Sequence, residues 1–275
     1  MLPTELSATA GPRFKRHKRA MRTLAVANQK GGTAKTTTAV NLAAVFAERG
    51  CRCLLVDLDP QGAASSWLGA DQASDLLAGL SGPGTIAALI RPTTVESLEV
   101  LPASPSLVGA ERVLAGEVGA ETLLRRALAP FGARWRFVLV DTPPTLGILT
   151  INALVAAREV LVPVDCHALA LAGLVRLLDM IEAVRSRLNP GLHLAGILAC
   201  RLDGRTRQAA GVLAELRMRL GRQVFAAVIR ENVKLAEAAT FKKSILSYAP
   251  SSTAAEDYRA LAREILGYDK GRMDQ

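Results

Sequence analysis

Cysteine is scarce in this chain: there are four (Cys51, Cys53, Cys166 and Cys200) in 275 residues, and no pair stands at CxxC or another metal-ligand spacing. That argues against a structural metal site and leaves the thiols as small buried hydrophobes of a reducing compartment. Long apolar runs are missing too. No stretch approaches the roughly 18 apolar residues of a membrane span, and residues 1–22 carry charge with no apolar stretch behind it, so neither a transmembrane helix nor a signal peptide is predicted. The expected setting is the cytoplasm, with no membrane partner. Acids are outnumbered, 25 Asp and Glu against 34 Lys and Arg. A net charge of +9 hints at a polyanionic partner, but the placement of the charges matters more than their sum.

What is present is a chain that is 50% hydrophobic, enough for a large core, and one domain is expected over residues 22–267. Residues 1–21 read as a disordered basic leader, with Arg13, Lys15, Arg16, Lys18 and Arg19 against Glu5. Residues 268–275 read as a polar tail. Met21 opens a segment that looks like a first strand, so the leader is open to three readings: an arm that holds DNA, a solvated tail, or a start codon assigned too far upstream. From there apolar runs alternate with helical spacing, the pattern of a mostly parallel, twisted α/β sheet with helices on both faces. Strands are predicted at 23–28, 53–57, 98–101, 136–140, 159–164, 193–199 and 223–229. Helices are predicted at 36–49, 84–90, 106–115, 120–129, 147–157, 168–188, 206–220, 232–239 and 253–267. Gly50, Gly191 and Gly221 fall just after helical stretches, where a left-handed residue is wanted.

The first strand runs into Gln29-Lys30-Gly31-Gly32-Thr33-Ala34-Lys35-Thr36-Thr37, followed by a long helix. Strand, glycine loop and helix N-terminus form an anion cradle, in which backbone N–H groups and the helix dipole converge on phosphate oxygens. In such a P-loop Lys35 reaches the β- and γ-phosphates and the Thr36 hydroxyl completes a Mg²⁺ shell. The usual pattern G-x-x-x-x-G-K-[ST] fails at Gln29 and Ala34. The deviant form K-G-G-x-x-K-T-T fits, with Lys30 at its head. Leu54-Leu55-Val56-Asp57-Leu58-Asp59-Pro60-Gln61-Gly62 and Phe137-Val138-Leu139-Val140-Asp141-Thr142-Pro143-Pro144 each end an apolar strand on acids, and strand ends of this kind face the ligand crevice.

These three motifs resemble the ParA/Soj partition ATPases, within the ParA/MinD branch of P-loop proteins. The resemblance covers about residues 22–267 and includes the segments 146–154, 159–164 and 232–238. It implies slow, partner-stimulated ATP hydrolysis with Mg²⁺ and an ATP-dependent homodimer. It also implies binding of non-specific duplex DNA, hence association with the nucleoid, and a ParB-like centromere-binding partner. Residue by residue, it implies that Lys30 reaches the partner's nucleotide, that Gly31, Gly32, Thr33, Ala34, Lys35, Thr36, Thr37, Asp57 and Asn232 line the nucleotide, and that Asp59 positions the attacking water. Thr36, Asp59 and Asp141 would hold the metal. The family usually has glycine where this chain has Ala34. A positive φ there would strain the loop by roughly 1 kcal/mol; a helical φ would be harmless, and the presence of every other contact residue favours the harmless case.

Residues 201–243 hold ten bases against four acids, and their only aromatics are Phe225 and Phe241. Phosphate contact on duplex DNA therefore suits them better than stacking on single strands. Arg205, Arg207, Lys234, Lys242 and Lys243 are the candidate DNA-binding residues, whereas Arg217, Arg219 and Arg222 fit a solvated helix face equally well. A MinD-like membrane oscillator would need an amphipathic basic C-terminal helix, which the final residues do not offer. An iron–sulfur reductase would need cysteines between the Walker segments, and residues 54–165 have none. A bacterial tyrosine kinase would carry a terminal tyrosine cluster. Two alternatives stay open: a relative that positions a protein cargo over the nucleoid, and a nucleotide switch that scarcely hydrolyses, against which Asp59 argues.

Overall fold

The computed structural model describes residues 21–82, 85–166 and 170–272, so the leader over 1–20 lies outside the described residues. Its strands are β1 (Arg22–Val26), β2 (Cys53–Asp57), β3 (Arg91–Pro92), β4 (Leu98–Leu101), β5 (Phe137–Asp141), β6 (Glu159–Asp165), β7 (His193–Leu202) and β8 (Val224–Arg230). They form one sheet in the order β3-β4-β2-β5-β1-β6-β7-β8. Only β3 runs antiparallel to its neighbour. The helices are α1 (Lys35–Glu48), α2 (Ala63–Trp67), α3 (Leu76–Ser81), α4 (Ala110–Val113), α5 (Leu123–Leu128), α6 (Ile148–Ala156), α7 (Ala170–Arg187), α8 (Arg207–Leu220), α9 (Val233–Thr240), α10 (Ile245–Tyr248) and α11 (Thr253–Arg272).

Successive strand residues point to opposite faces, and here both faces are covered. Leu24, Val26, Leu55, Phe137 and Leu139 pack with Phe46 of α1 and Tyr258 and Leu261 of α11. Ala25, Leu54, Val56, Val138 and Val140 pack on the other side with Leu124, Leu154 and Leu177. That double burial is why the strands read as continuous apolar runs rather than alternating ones. The β8 edge is closed by side chains of α11: Glu264 accepts from the N–H groups of Ala226 (2.8 Å) and Ala227 (3.0 Å), and Asp257 from that of Arg230 (2.9 Å). Covered edge donors cannot template pairing with another chain.

At the amino edge of the sheet, Arg22 and Glu159 form a buried ion pair, Nε to Oε2 at 2.7 Å. His193 Nε2 lies 3.1 Å from the other Glu159 oxygen, and Arg22 Nη2 also donates to the Ile265 carbonyl at 3.2 Å. Burial works to raise the Glu159 pKa, but the hydrogen bonds from His193 and Arg22 outweigh it and hold the carboxyl below its usual range.

Several expectations need correction. The helix predicted at 84–90 is a short 3₁₀ turn at Thr85–Ala88, and the helix of this region is α3, ahead of it. Within 106–115 a 3₁₀ turn (Pro105–Gly109) leads into a single turn of α-helix. The two-residue β3 and the short α2 and α10 were not anticipated. α11 runs on through Arg272, into the residues read as a polar tail. Gly50 and Gly221 do take positive φ, 78° and 53°, but Gly191 does not; α7 ends at Arg187, and the chain turns through Asn189-Pro190 first.

Candidate nucleotide site and basic rim

Parallel strands bring their carboxyl ends to one edge, and the connection after the central β1 sits where the sheet's chain direction divides, between β5 and β6. The loop there is fixed at its base. Asn28 Nδ2 donates to the Pro163 carbonyl (2.7 Å), Gln29 Nε2 to that of Gly173 (2.9 Å), and the Lys30 N–H to Asn28 Oδ1 (3.1 Å). Thr33 Oγ1 and Lys35 Nζ both donate to the Lys30 carbonyl, at 3.2 and 3.3 Å. The loop is thereby folded over its own lysine. Lys30 itself is exposed, and its ammonium makes no hydrogen bond among the described residues. Among the described residues no side chain caps the N-terminus of α1, which leaves its first-turn N–H groups, including those of Thr36 and Thr37, available to an anion.

Ala34 overturns the harmless expectation. It adopts φ 67° and ψ 28°, the left-handed conformation, immediately before α1. Gly32, at φ 74°, is the other left-handed residue of the loop. An L-residue in this region costs about 1–2 kcal/mol, offset by about 0.4–1 kcal/mol because alanine restricts the unfolded chain more than glycine does. Ala34→Gly is therefore expected to raise the melting temperature by up to about 6 °C in a thermal unfolding experiment. A lower melting temperature would show that the loop is not strained there.

Asp57 and Asp141 are direct register neighbours at the ends of β2 and β5. Their environments differ sharply. Asp57 accepts from Ser65 N–H (2.8 Å), Ser65 Oγ (2.6 Å) and Asp59 N–H (3.2 Å). Asp141 is 0% exposed, and neither of its oxygens has a hydrogen-bond partner among the described residues. Burial pushes the Asp57 carboxyl up to about 6 against the pull of Ser65. Burial and the neighbouring Asp57 push Asp141 well up, despite the Thr36 hydroxyl and Lys35 beside it. Of the pair, Asp57 holds the hydrogen-bond donors, whereas Asp141 faces the Lys35 cation without one. Lys35, 7% exposed, has its pKa lowered by burial while Asp141 and Asp59 hold it up.

A buried carboxylate without partners beside a threonine hydroxyl is the donor set of a Mg²⁺ that also takes phosphate oxygens. Among the described residues no three His, Cys, Asp or Glu side chains cluster as a metal site. Asp59 is nearly buried; its Oδ1 accepts from the Gln61 N–H at 3.0 Å, and its Oδ2 accepts no hydrogen bond among the described residues. Asn232 makes no hydrogen bond to this group among the described residues. It caps α9 through the Lys234 N–H (3.0 Å) and donates to Thr253 Oγ1 (2.9 Å), so its amide joins α9 to α11. Ser65 is a residue the sequence motifs did not reveal: it donates to Asp57 and its Oγ accepts in turn from the Ala103 N–H, at 2.9 Å.

The basic residues divide into two groups. Arg205 and Arg207 follow β7 and Lys234 follows β8, so parallel topology puts all three on the same edge as the P-loop. Arg205 is 89% exposed, with Nε and Nη2 each 2.9 Å from the Asp203 carboxylate. Lys242 and Lys243 lie at the far end of α9, exposed, beside α2 and α1: the Lys243 carbonyl accepts from Trp67 Nε1 (2.7 Å) and the Ile245 N–H donates to Asn41 (2.8 Å). Arg219 pairs with Glu215 along α8 (2.7 Å), and Arg217 donates to the Ala226 carbonyl (3.2 Å). Among the described residues no helix is long and apolar enough to cross a membrane.

A glycine loop folded over a buried lysine, at the carboxyl edge of a parallel sheet and facing acidic strand ends, defines a P-loop ATPase that works with Mg²⁺. The comparisons agree. A family model described as an AAA domain matches residues 21–194. The chain is 49% identical over 246 residues to the chromosome-partitioning ATPase Soj of Thermus thermophilus, covering 90% of this chain and 96% of that one. It is 43% identical over 251 residues to the chromosome partitioning protein ParA of Myxococcus xanthus, covering 90% and 89%. A crystal structure described as cobyrinic acid a,c-diamide synthase from Mycobacterium smegmatis, with bound ATP analog and magnesium, is 38% identical, with a TM-score of 0.74 over 85% of this chain and 98% of that one. This chain belongs to the ParA/Soj family of partition ATPases.

Proposed function

We propose that this ATPase forms an ATP-dependent homodimer that holds duplex DNA without sequence preference, in the cell the nucleoid, and that it partitions a chromosome or plasmid with a ParB-like centromere-binding protein. The observation that carries the reading is the shared edge: Arg205, Arg207 and Lys234 stand on the same rim as the P-loop and its exposed Lys30. A second copy that met this rim through Lys30 would bring two sets of cations into one complex, and paired weak sites gain through effective concentration. The Asp203 carboxylate is no obstacle, because an ion pair this exposed contributes little and a phosphate can replace it. Lys242 and Lys243, set back from the rim, extend the same surface.

Within the nucleotide site, Gly31, Gly32, Thr33, Ala34, Thr36 and Thr37 cradle phosphate through the loop and the start of α1, and Lys35 neutralises charge that builds during transfer. Asp141, Thr36 and Asp59 would hold the metal, which when bound would supply further charge neutralisation. The Oδ2 of Asp59 orients the attacking water. Asp57 acts through Ser65, keeping the loop that carries Asp59 in place, and Asn232 fixes the start of α9 at the nucleotide's margin.

Sedimentation and duplex binding, measured in Mg-ATP and Mg-ADP, test this reading. Wild type should dimerise and bind any duplex in ATP only, and Lys30→Ala should do neither. Arg205→Glu or Lys234→Glu should dimerise normally and weaken all sequences alike. Either should also flatten the slope of log K against log salt by about 0.9 for each phosphate no longer neutralised. A truncation that removes residues 1–20 should bind as the full chain does. If the truncation abolishes binding and the charge reversals do not, the leader is the DNA-binding element.

A further inference from the structure

The loop that follows Asp141 is anchored at both ends. Thr142 Oγ1 donates to the Val26 carbonyl at 3.0 Å, beside the start of the P-loop segment. Thr150 Oγ1, one turn into α6, donates back to the Thr145 carbonyl at 2.6 Å. A third anchor comes from elsewhere in the chain: Glu111 Oε1, on α4, accepts from the Ile148 N–H at the first turn of α6, at 2.6 Å. A carboxylate on an unpaired helix N–H is a strong, charge-assisted bond. It also explains Gly147, since a Cβ built on that residue would land on Glu111 Oε1.

Glu111 ends a strap whose other end is equally fixed. The Ala103 N–H donates to Ser65 Oγ, which itself donates to Asp57, and Ser104 Oγ accepts from the Leu76 N–H at 2.8 Å. The segment 103–111 thus spans from the loop held by Asp57 to the loop that follows Asp141, and these two aspartates are register neighbours. We propose that Glu111 is a positioning residue for ATP hydrolysis, holding the 142–147 loop against this strap so that the acidic ends of β2 and β5 keep a fixed separation. This rests on the site described above being the ATPase site. Glu111 touches no reacting atom in the proposal. Its effect passes through the Ile148 N–H, so whatever removes that bond should have the same consequence whichever partner is changed.

The experiment is a double-mutant cycle on Mg-ATP turnover in the full chain, with Glu111→Ala, Gly147→Ala and both together. Each single variant should lower kcat by about tenfold and leave the KM for ATP within about twofold. The double variant should lose no more than either single one, because both remove one bond. Glu111→Gln, whose amide oxygen can still accept from the N–H, should keep most of the wild-type kcat. Independent losses that multiply in the double variant, a change in KM alone, or wild-type kcat in Glu111→Ala overturns the proposal. If Gly147→Ala does not fold, the contrast between alanine and glutamine at 111 decides it. Absence of Mg-ATP turnover in the wild type would instead overturn the reading of the site itself.

Discussion

Lys35→Ala is expected to lower ATP turnover by about 10²–10³-fold, the loss that follows removal of one preorganised charge from a water-poor site. Lys35 is nearly buried, and burial alone would drive it toward the neutral amine. Asp141 and Asp59 oppose that and keep the cation in place. The same arrangement means that the lysine answers a carboxylate with no hydrogen-bond donor among the described residues, so its removal weakens the nucleotide site and the carboxyl edge of the sheet together. Arginine should not restore activity, because a planar fork cannot occupy the position from which Nζ reaches the Lys30 carbonyl. Phosphate release under saturating Mg-ATP is the measurement. Wild-type turnover in Lys35→Ala would remove the P-loop assignment.

The fold and the P-loop were legible in the sequence for one physical reason. A strand buried on both faces must be apolar along its length, and it stops where an acid or a glycine loop must face the crevice. β2 accordingly runs from Cys53 through an apolar stretch and stops at the acid Asp57. Elements too short to show a period, such as β3, α2 and α10, left no such signal, and α3 was displaced in the reading by the apolar run after it. Conformation at a single residue is harder still. Nothing local in Thr33-Ala34-Lys35 says that φ of Ala34 is positive. Side-chain partners from distant segments were equally hidden. Ser65 beneath Asp57, Glu111 on Ile148 and Trp67 on the Lys243 carbonyl join residues 8, 37 and 176 positions apart, and no spacing rule links them.

The Arg22–Glu159–His193 group, far from the nucleotide, carries the largest stability prediction. Glu159→Ala is expected to cost about 3–5 kcal/mol near neutral pH, because it takes the carboxylate away from a guanidinium that stays in the interior. For a chain of this size that lowers the melting temperature by roughly 6–20 °C. The dependence on pH has a definite sign. The folded-state pKa of Glu159 is held below its ordinary value, which is about 4.3 when unfolded. Its contribution is therefore fully present above that value and is lost as pH falls through the lower, folded one. Glu159→Gln keeps the shape and removes the charge, so the gap in stability between wild type and this variant should narrow as pH drops below about 4. The charged and titratable groups facing the carboxylate are Arg22 and His193. Urea unfolding of both proteins from about pH 3 to 8 tests this. A gap that stays constant into acid would mean that the carboxylate is not held ionised by its partners.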